Sequence, residues 1–305
     1  MNGKTMRIAG VPLTGFLPGK TPSIIIGFQT PDALVYHYTD LKKGREILQT
    51  RKFKFGSITN TNDPKEKREW KFTPHTNGGF DLSKVDTNEL SDELSRALKQ
   101  NTKVGCFCRD RQPLSGDHTR DIFLRGWSKP RMWAQYAGKH TGVCLVFDRQ
   151  LLDKAVCKTF GFYSRNYRGN VSYINRSVVF DGIGDFAADM DAIQELGFER
   201  YAAAHFHAFV GPLFFEKMQD WRDEDEFRWI VADDDGNDKF VDIAASLVGI
   251  VYGDSTGQED IKSTIDITAD LNLTHMAIRW SNSSPWYDFL NPLYAAKPPG
   301  DREAD

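Results

Sequence analysis

Four cysteines in 305 residues are too few for a disulfide framework. Cys106, Cys108 and Cys144 stand in apolar, strand-like runs, so these three and Cys157 are expected as reduced, mostly buried thiols. No apolar run reaches the roughly 20 residues that a membrane helix needs. The opening Met1-Asn2-Gly3-Lys4-Thr5-Met6-Arg7 leads into no signal-peptide apolar stretch. The expectation is a cytoplasmic protein with no membrane partner. An excess of one charge is lacking too: 39 Lys and Arg against 42 Asp and Glu give a formal net charge of −3. No overall basic field therefore advertises a nucleic acid, although a local patch stays open.

Several catalytic signatures are missing. Gly15-Phe16-Leu17-Pro18-Gly19-Lys20-Thr21 has three residues between its glycines where a phosphate-binding loop needs four, and Pro22-Ser23 follows instead of a helix. No Gly-x-Ser-x-Gly elbow occurs. Cys106-x-Cys108 with Cys144 and Cys157 lacks zinc-ligand spacing. His205 and His207, at i and i+2, fall on different faces of a helix, so no metal is expected. No Gly-rich loop joins a strand to a helix as a dinucleotide fold requires.

What is present alternates between helix and strand. Leu34–Thr39 has period-two alternation, with His37 and Thr39 on one face and Tyr36 and Tyr38 on the other. Thr39 or Asp40 can cap a helix running to about Gln49, followed by a strand from Phe53 to Ile58 that carries Ser57. Thr59 to Glu66, with Asn62-Asp63-Pro64, is built of turn formers. A polar loop over 74–90, a helix Ser91–Gln100 and a strand Val104–Cys108 come next. Arg109–Ser128 reads as a mobile surface loop. A short helix from Arg131 to Ala137 puts Trp133, Tyr136 and Ala137 on one face, and Lys139-His140-Thr141-Gly142 turns into the strand Val143–Phe147. Strands are expected around Phe160–Tyr163 and Gly169–Tyr173, helix through most of 184–219, and an acidic hairpin turn at Asp233–Asp238. Ser246–Tyr252 and Thr274–Trp280 read as strands flanking a helix Gln258–Asp270. No internal repeat or linker divides the chain. The expected fold is a single α+β domain over 31–296 with mostly antiparallel strands, an irregular lead-in over 1–30 and a disordered tail over 297–305.

One stretch stands out: Trp221-Arg222-Asp223-Glu224-Asp225-Glu226-Phe227-Arg228-Trp229-Ile230-Val231. Read as a strand, it sends Glu224, Glu226 and Arg228 to one face and Asp225, Phe227 and Trp229 to the other. A line of charge is costly to bury without partners, so it faces water or lines a cleft that a ligand completes. The plainer expectation is a solvated face with Arg228 bridging its neighbours.

Tyr36-His37-Tyr38-Thr39, followed by Asp40-Leu41 and a helix ending in Ile47-Leu48, resembles the opening of the ADP-ribosyltransferase superfamily. Glu224-x-Glu226 resembles the Glu-x-Glu found late in many of those enzymes. The chain is also similar to a large uncharacterised bacterial family. That resemblance rests on Asn62-Asp63-Pro64-x-Glu66, Cys106-Phe107, Met132-Trp133-x-x-Tyr136-x-x-x-His140-x-Gly142-Val143-Cys144-Leu145 and Glu224-x-Glu226-Phe227-Arg228, spread over roughly residues 33–255. Cys108 stands where that family usually has Ser. No Tyr occupies the second-strand position of the His-Tyr-Glu pattern, and Ser57 is the nearest residue to it.

The resemblance implies a split-sheet core with helical insertions and NAD as substrate, without metal. It implies that Glu226 hydrogen-bonds the ribose 2′-hydroxyl and stabilises an oxocarbenium-like cation, and that Glu224 orients or deprotonates the acceptor. His37 would bond the adenosine ribose, with Tyr38, Thr39, Ser57, Asn62 and His140 around the nucleotide. Trp133 or Tyr136 would stack on nicotinamide, and Arg228 would hold Glu226 or a phosphate. The acceptor is a protein or nucleic acid. In an intracellular toxin or phage-defence factor, an antitoxin or inhibitor protein is a further partner. Beside each role stands a plainer one: His37 as a half-buried structural histidine, Trp133 and Tyr136 as core, Asn62-Asp63-Pro64 as a turn. Three readings stay open: a transferase, an NAD glycohydrolase with water as acceptor, and a non-enzymatic nucleotide- or nucleic-acid-binding module on the same fold. For the enzymes, Glu226→Gln is expected to abolish turnover and leave stability nearly unchanged.

Overall fold

The computed structural model describes residues 33–161, 166–176, 184–232 and 238–290, together with the backbone of two short antiparallel strands, Arg7–Ile8 and Val11–Pro12. The rest of the lead-in, the tail over 297–305, most of the acidic turn at 233–238 and the far end of the expected 160–163 strand lie outside these residues. The chain folds as two compact units, and the change from one to the other falls inside the strand Thr102–Arg109.

The first unit comprises residues 1–52, 107–155 and 242–305. At its centre Leu34–Thr39 pairs antiparallel with Val143–Asp148 on one side and with Cys108 and Arg109 on the other. Leu247–Tyr252 adds to Val143–Asp148, Thr274–Ser281 to Leu247–Tyr252, and Ser284–Phe289 closes the edge. The pairing is antiparallel except between Leu247–Tyr252 and Thr274–Ser281, which run parallel because the helix Gln258–Ile267 carries the chain back between them. Period-two alternation sorts the faces. Leu34, Tyr36 and Tyr38 join Trp133, Cys144, Val146, Val251, Met276 and Ile278 in one core. On the other face, the helix Leu41–Thr50 packs so closely that a Cβ on Gly44 would stand 2.5 Å from Val143 Cγ2. Asp40 starts that helix, its carboxylate accepting from Lys43 N at 2.9 Å.

Residues 109–128 are not the mobile loop that their charges, Gly and Pro suggest. A turn of helix at His118–Asp121 and a 3-10 turn at Ile122–Leu124 fold the segment over a buried ion pair. Arg125 Nη1 donates to Asp110 Oδ2 at 3.0 Å, and Gly126 N donates to Asp110 Oδ1 at 2.7 Å. Polar residues here are partners of one another, which composition cannot reveal.

The second unit comprises residues 53–106 and 156–241. Lys52–Ser57 pairs antiparallel with the first half of Thr102–Arg109, and Glu226–Ala232 pairs with that same strand and, antiparallel, with Asn166–Asn170. Short parallel pairs join Thr73–His75 to Ala187–Asp189 and Ser172–Tyr173 to Glu216–Lys217. The helices Thr87–Gln100, Met190–Leu196 and Phe198–Phe214 cover a core of Trp70, Phe72, Leu94, Leu98, Tyr201, Phe206, Phe214 and Ile230. Asp86 caps the first of them through bonds from Asn88 N and Glu89 N, which starts it a turn earlier than the apolar spacing suggests.

Arg149–Phe160 is a helix in a segment to which the sequence assigns no element, and the strand expected around Gly169–Tyr173 is present as Asn166–Asn170 and Ser172–Tyr173. The 221–231 stretch is not one strand: Gln219–Glu224 is a 3-10 segment, Asp225 takes a left-handed φ of 43°, and the strand runs from Glu226 to Ala232. The α+β class holds, with mostly antiparallel pairing in the first unit and both kinds of pairing in the second.

Candidate functional site

The charges of Glu224-x-Glu226-x-Arg228 are buried and not on a solvated face. Glu224 is 8 %, Glu226 3 % and Arg228 0 % exposed. Arg228 grips Glu226 with two parallel bonds, Nε to Oε1 at 2.8 Å and Nη2 to Oε2 at 2.9 Å. Its Nη1 donates at 2.6 Å to both Glu66 Oε1 and Phe214 O. Lys217 Nζ lies 2.9 Å from Glu224 Oε2 and 2.8 Å from Glu226 Oε2. The Trp221 ring lies beneath the same ammonium, 5.3 Å from its centroid. Tyr173 OH accepts from Glu226 N at 2.8 Å and so fixes the start of the strand.

This geometry sets the protonation states. Burial acts to raise the Glu226 pKa, but the charges of Arg228 and Lys217 override it and hold the carboxyl at about 2. Burial likewise opposes the charge on Lys217, and Glu226 and Glu224 overcome it, keeping the ammonium protonated well beyond the usual lysine range. Burial pushes the Cys106 thiol up, so it is a poor nucleophile although it feels the same charges. Within the five groups Glu66, Glu224, Glu226, Lys217 and Arg228, three carboxylates meet two cations, leaving one formal negative charge.

Glu66 and Lys217 are the members that sequence reasoning missed. Asn62-Asp63-Pro64-Lys65-Glu66 is a device for delivering Glu66. Asp63 caps a one-turn helix, Pro64–Lys67, by accepting from Lys65 N at 2.9 Å; Pro64 occupies its first turn, and Glu66 projects to Arg228. Asn62 itself is exposed. Ser57 caps the next 3-10 turn, its Oγ 2.9 Å from Thr59 Oγ1.

The first unit holds the other expected residues, and the sheet separates them. His37 and Thr39 point to the face carrying the helix Leu41–Thr50; His37 packs on Phe107 with ring centroids 5.7 Å apart. Tyr38 points the opposite way and meets Trp133 edge-on at 5.0 Å. Trp133 is fully buried and donates from Nε1 to Trp127 O at 2.8 Å. His140 stacks on Trp133 at 6.5 Å and stands edge-on to Trp280 at 6.1 Å. Its Nδ1 lies 3.2 Å from Asp254 Oδ1 with no hydrogen bond formed between them. Gly138, Lys139 and His140 are all left-handed, with φ of 56°, 54° and 72°. Tyr136 is half-buried, its OH accepting from Gln135 Nε2 at 3.2 Å. The structure thus groups Tyr38, Trp133 and His140 on one face, places His37 and Thr39 on the other, and gathers Glu224, Glu226 and Arg228 in the second unit.

His205 is structural: its Nε2 lies 2.9 Å from Asp185 O, and burial lowers its pKa. Among the described residues no group of three or more His, Cys, Asp or Glu stands ready to hold a metal, and no helix is long and apolar enough to cross a membrane.

Residues 132–229 match the profile of a family described as "Protein of unknown function (DUF2971)", which bears out the resemblance to an uncharacterised family. The match runs from the methionine of Met132-Trp133 to Trp229 in the Glu226–Ala232 strand. Two solved structures are similar. Thermus sp. 2.9 DarT in complex with NAD+ shares 13% identity and a TM-score of 0.31, over 79% of this chain and 91% of that one. The same protein in complex with carba-NAD+ shares 14% identity and a TM-score of 0.32, over 83% of this chain and 97% of that one. No curated protein matches the chain.

Proposed function

We propose that this protein cleaves the bond between nicotinamide and ribose in NAD and transfers ADP-ribose to a protein or nucleic-acid acceptor. In the step itself, the bond from ribose C1′ to the pyridinium nitrogen breaks and its electron pair stays on nitrogen. Nicotinamide leaves neutral and C1′ gains oxocarbenium character. An acceptor oxygen or nitrogen then bonds to C1′, and its proton passes to Glu224.

The observation that carries the proposal is the state of Glu226. Arg228 Nε and Nη2 and Lys217 Nζ fill three of the roughly four acceptor positions of its carboxylate, leaving one on Oε1. That position suits a ribose 2′-hydroxyl. A carboxylate held ionised away from water, in a cluster with one negative charge to spare, favours a cation developing nearby. Such an enzyme acts in a bacterial cell as a toxin or phage-defence factor, restrained by an antitoxin or inhibitor protein.

Incubation with NAD labelled in the adenosine half tests this. Released nicotinamide with the label on protein, RNA or DNA is the expected result. Released nicotinamide with only free ADP-ribose makes the protein a glycohydrolase. Neither product, and no thermal shift on adding NAD, leaves a binding module and removes the mechanism. Glu224→Gln is expected to lower transfer of the label to the acceptor by ~100-fold or more, as loss of a general base does. Its unfolding midpoint, measured alongside, separates lost chemistry from lost fold.

A further inference from the structure

We propose that Lys217 is the positioning residue of the Glu224-x-Glu226 pair, its one ammonium bridging both carboxylates and fixing their separation. The proposal rests on the NAD-cleaving reading above and adds to it a residue outside the motif.

Three observations carry it. First, Glu224 Oε2 and Glu226 Oε2 lie within 2.9 Å of a single nitrogen. Two carboxylates held that close in a buried site repel, and without a cation between them one takes a proton or swings away. Second, Arg228 uses Nε and Nη2 on Glu226 and Nη1 on Glu66 and the Phe214 carbonyl, so the contact that spans Glu224 and Glu226 is the one from Lys217. Third, Lys217 is held in place. Its side chain is 7% exposed, its ammonium rests over Trp221, and its carbonyl accepts from Ile174 N at 2.9 Å in the short Glu216–Lys217 pairing. A lysine on a free strand end would wander among rotamers; this one has nowhere else to put its charge.

The surrounding elements supply the other groups that bear on its protonation. Glu224 and Glu226 come from its own side of the chain, with Arg228 one turn of the strand pleat further on. Glu66 and Asp63 come from the capped turn, Tyr173 from the paired short strand, and Cys106 from the neighbouring strand.

The experiment titrates the glutamate carboxyl carbons of the full chain by NMR in the native protein, Lys217→Met and Lys217→Arg. Nicotinamide release from NAD is followed over the same pH range. In Lys217→Met the midpoint of Glu226 is expected to move up by roughly one to three pH units, as loss of an adjacent opposite charge predicts. The acid limb of nicotinamide release moves with it, and Lys217→Arg restores both. A merely structural lysine would lower the melting temperature without moving the midpoint. A folded Lys217→Met protein with a native Glu226 midpoint overturns the proposal. If that variant does not fold, Lys217→Gln, which also removes the charge, is titrated in its place, and a native Glu226 midpoint there overturns the proposal equally. A native protein that releases no nicotinamide removes the NAD reading, and the midpoint still decides what Lys217 does.

Discussion

At the scale of single residues, Arg228 and Glu226 show how far a motif can be read. Glu-x-Glu-aromatic-Arg is visible in the sequence, and so is the thought that Arg228 bridges its neighbours. Burial was not legible, because the partner that makes it tolerable, Glu66, lies 162 residues earlier. Lys217 went unnoticed for a related reason. An isolated lysine carries no pattern, and only the pairing of two-residue strands brings it under the two glutamates. The structure also changes one forecast. Glu226→Gln removes the charge that balances a wholly buried guanidinium, so stability should not stay level. A loss of ~3–5 kcal/mol is expected, the usual effect of breaking a buried pair by removing one partner. Urea denaturation measures it, and a change below ~1 kcal/mol would mean that Arg228 finds another partner.

At the scale of elements, strong alternation and good caps were legible, and breaks in pattern were not. Leu34–Thr39 and the Asp40-capped helix follow from period two and an Asx cap. The charged run at 219–225 imitated alternation while folding as a 3-10 segment, and the left-handed residue Asp225 gives no sign of itself in sequence. Arg149–Phe160 has no assignment from sequence because Leu151, Leu152 and Val156 suit a helix and a buried strand alike. The turn bearing Glu66 yields a prediction at this scale. Asp63→Ala removes the cap of Pro64–Lys67 and is expected to cost ~0.5–2 kcal/mol, with Asp63→Asn close to native because Asn caps equally well. Thermal unfolding of the two variants side by side checks it. Equal loss in both would show that charge, not the cap, is what Asp63 contributes.

Across the whole molecule, acid should act in two stages. Burial holds His275 down at about 4, below its usual 6.5. The unfolded chain therefore binds a proton first, and stability falls as pH drops from 6.5 towards 4. His205, also lowered by burial, adds in the same direction. Glu226 has its folded pKa depressed from 4.5 to about 2, so its contribution is complete above 4.5 and is lost as pH falls towards 2. Each of the two large shifts corresponds to something on the order of 3 kcal/mol. Chemical denaturation at closely spaced pH values should show a decline beginning below pH 6.5, with His275→Gln flattening its first part. A flat profile down to pH 4 would mean that His275 is not held neutral.

The charge cluster also bears on how the second unit comes together. Its five members arrive on four pieces of chain: the turn at Glu66, the short strand at Lys217, the 3-10 segment at Glu224, and the strand bearing Glu226 and Arg228. Any one of them stripped of water before the others arrive is penalised heavily, whereas the complete set is satisfied. Partly assembled forms are therefore scarce, and the pieces lock in a single concerted event. The same logic run backwards makes the cluster a keystone: it stays shut against local fraying until the whole unit lets go.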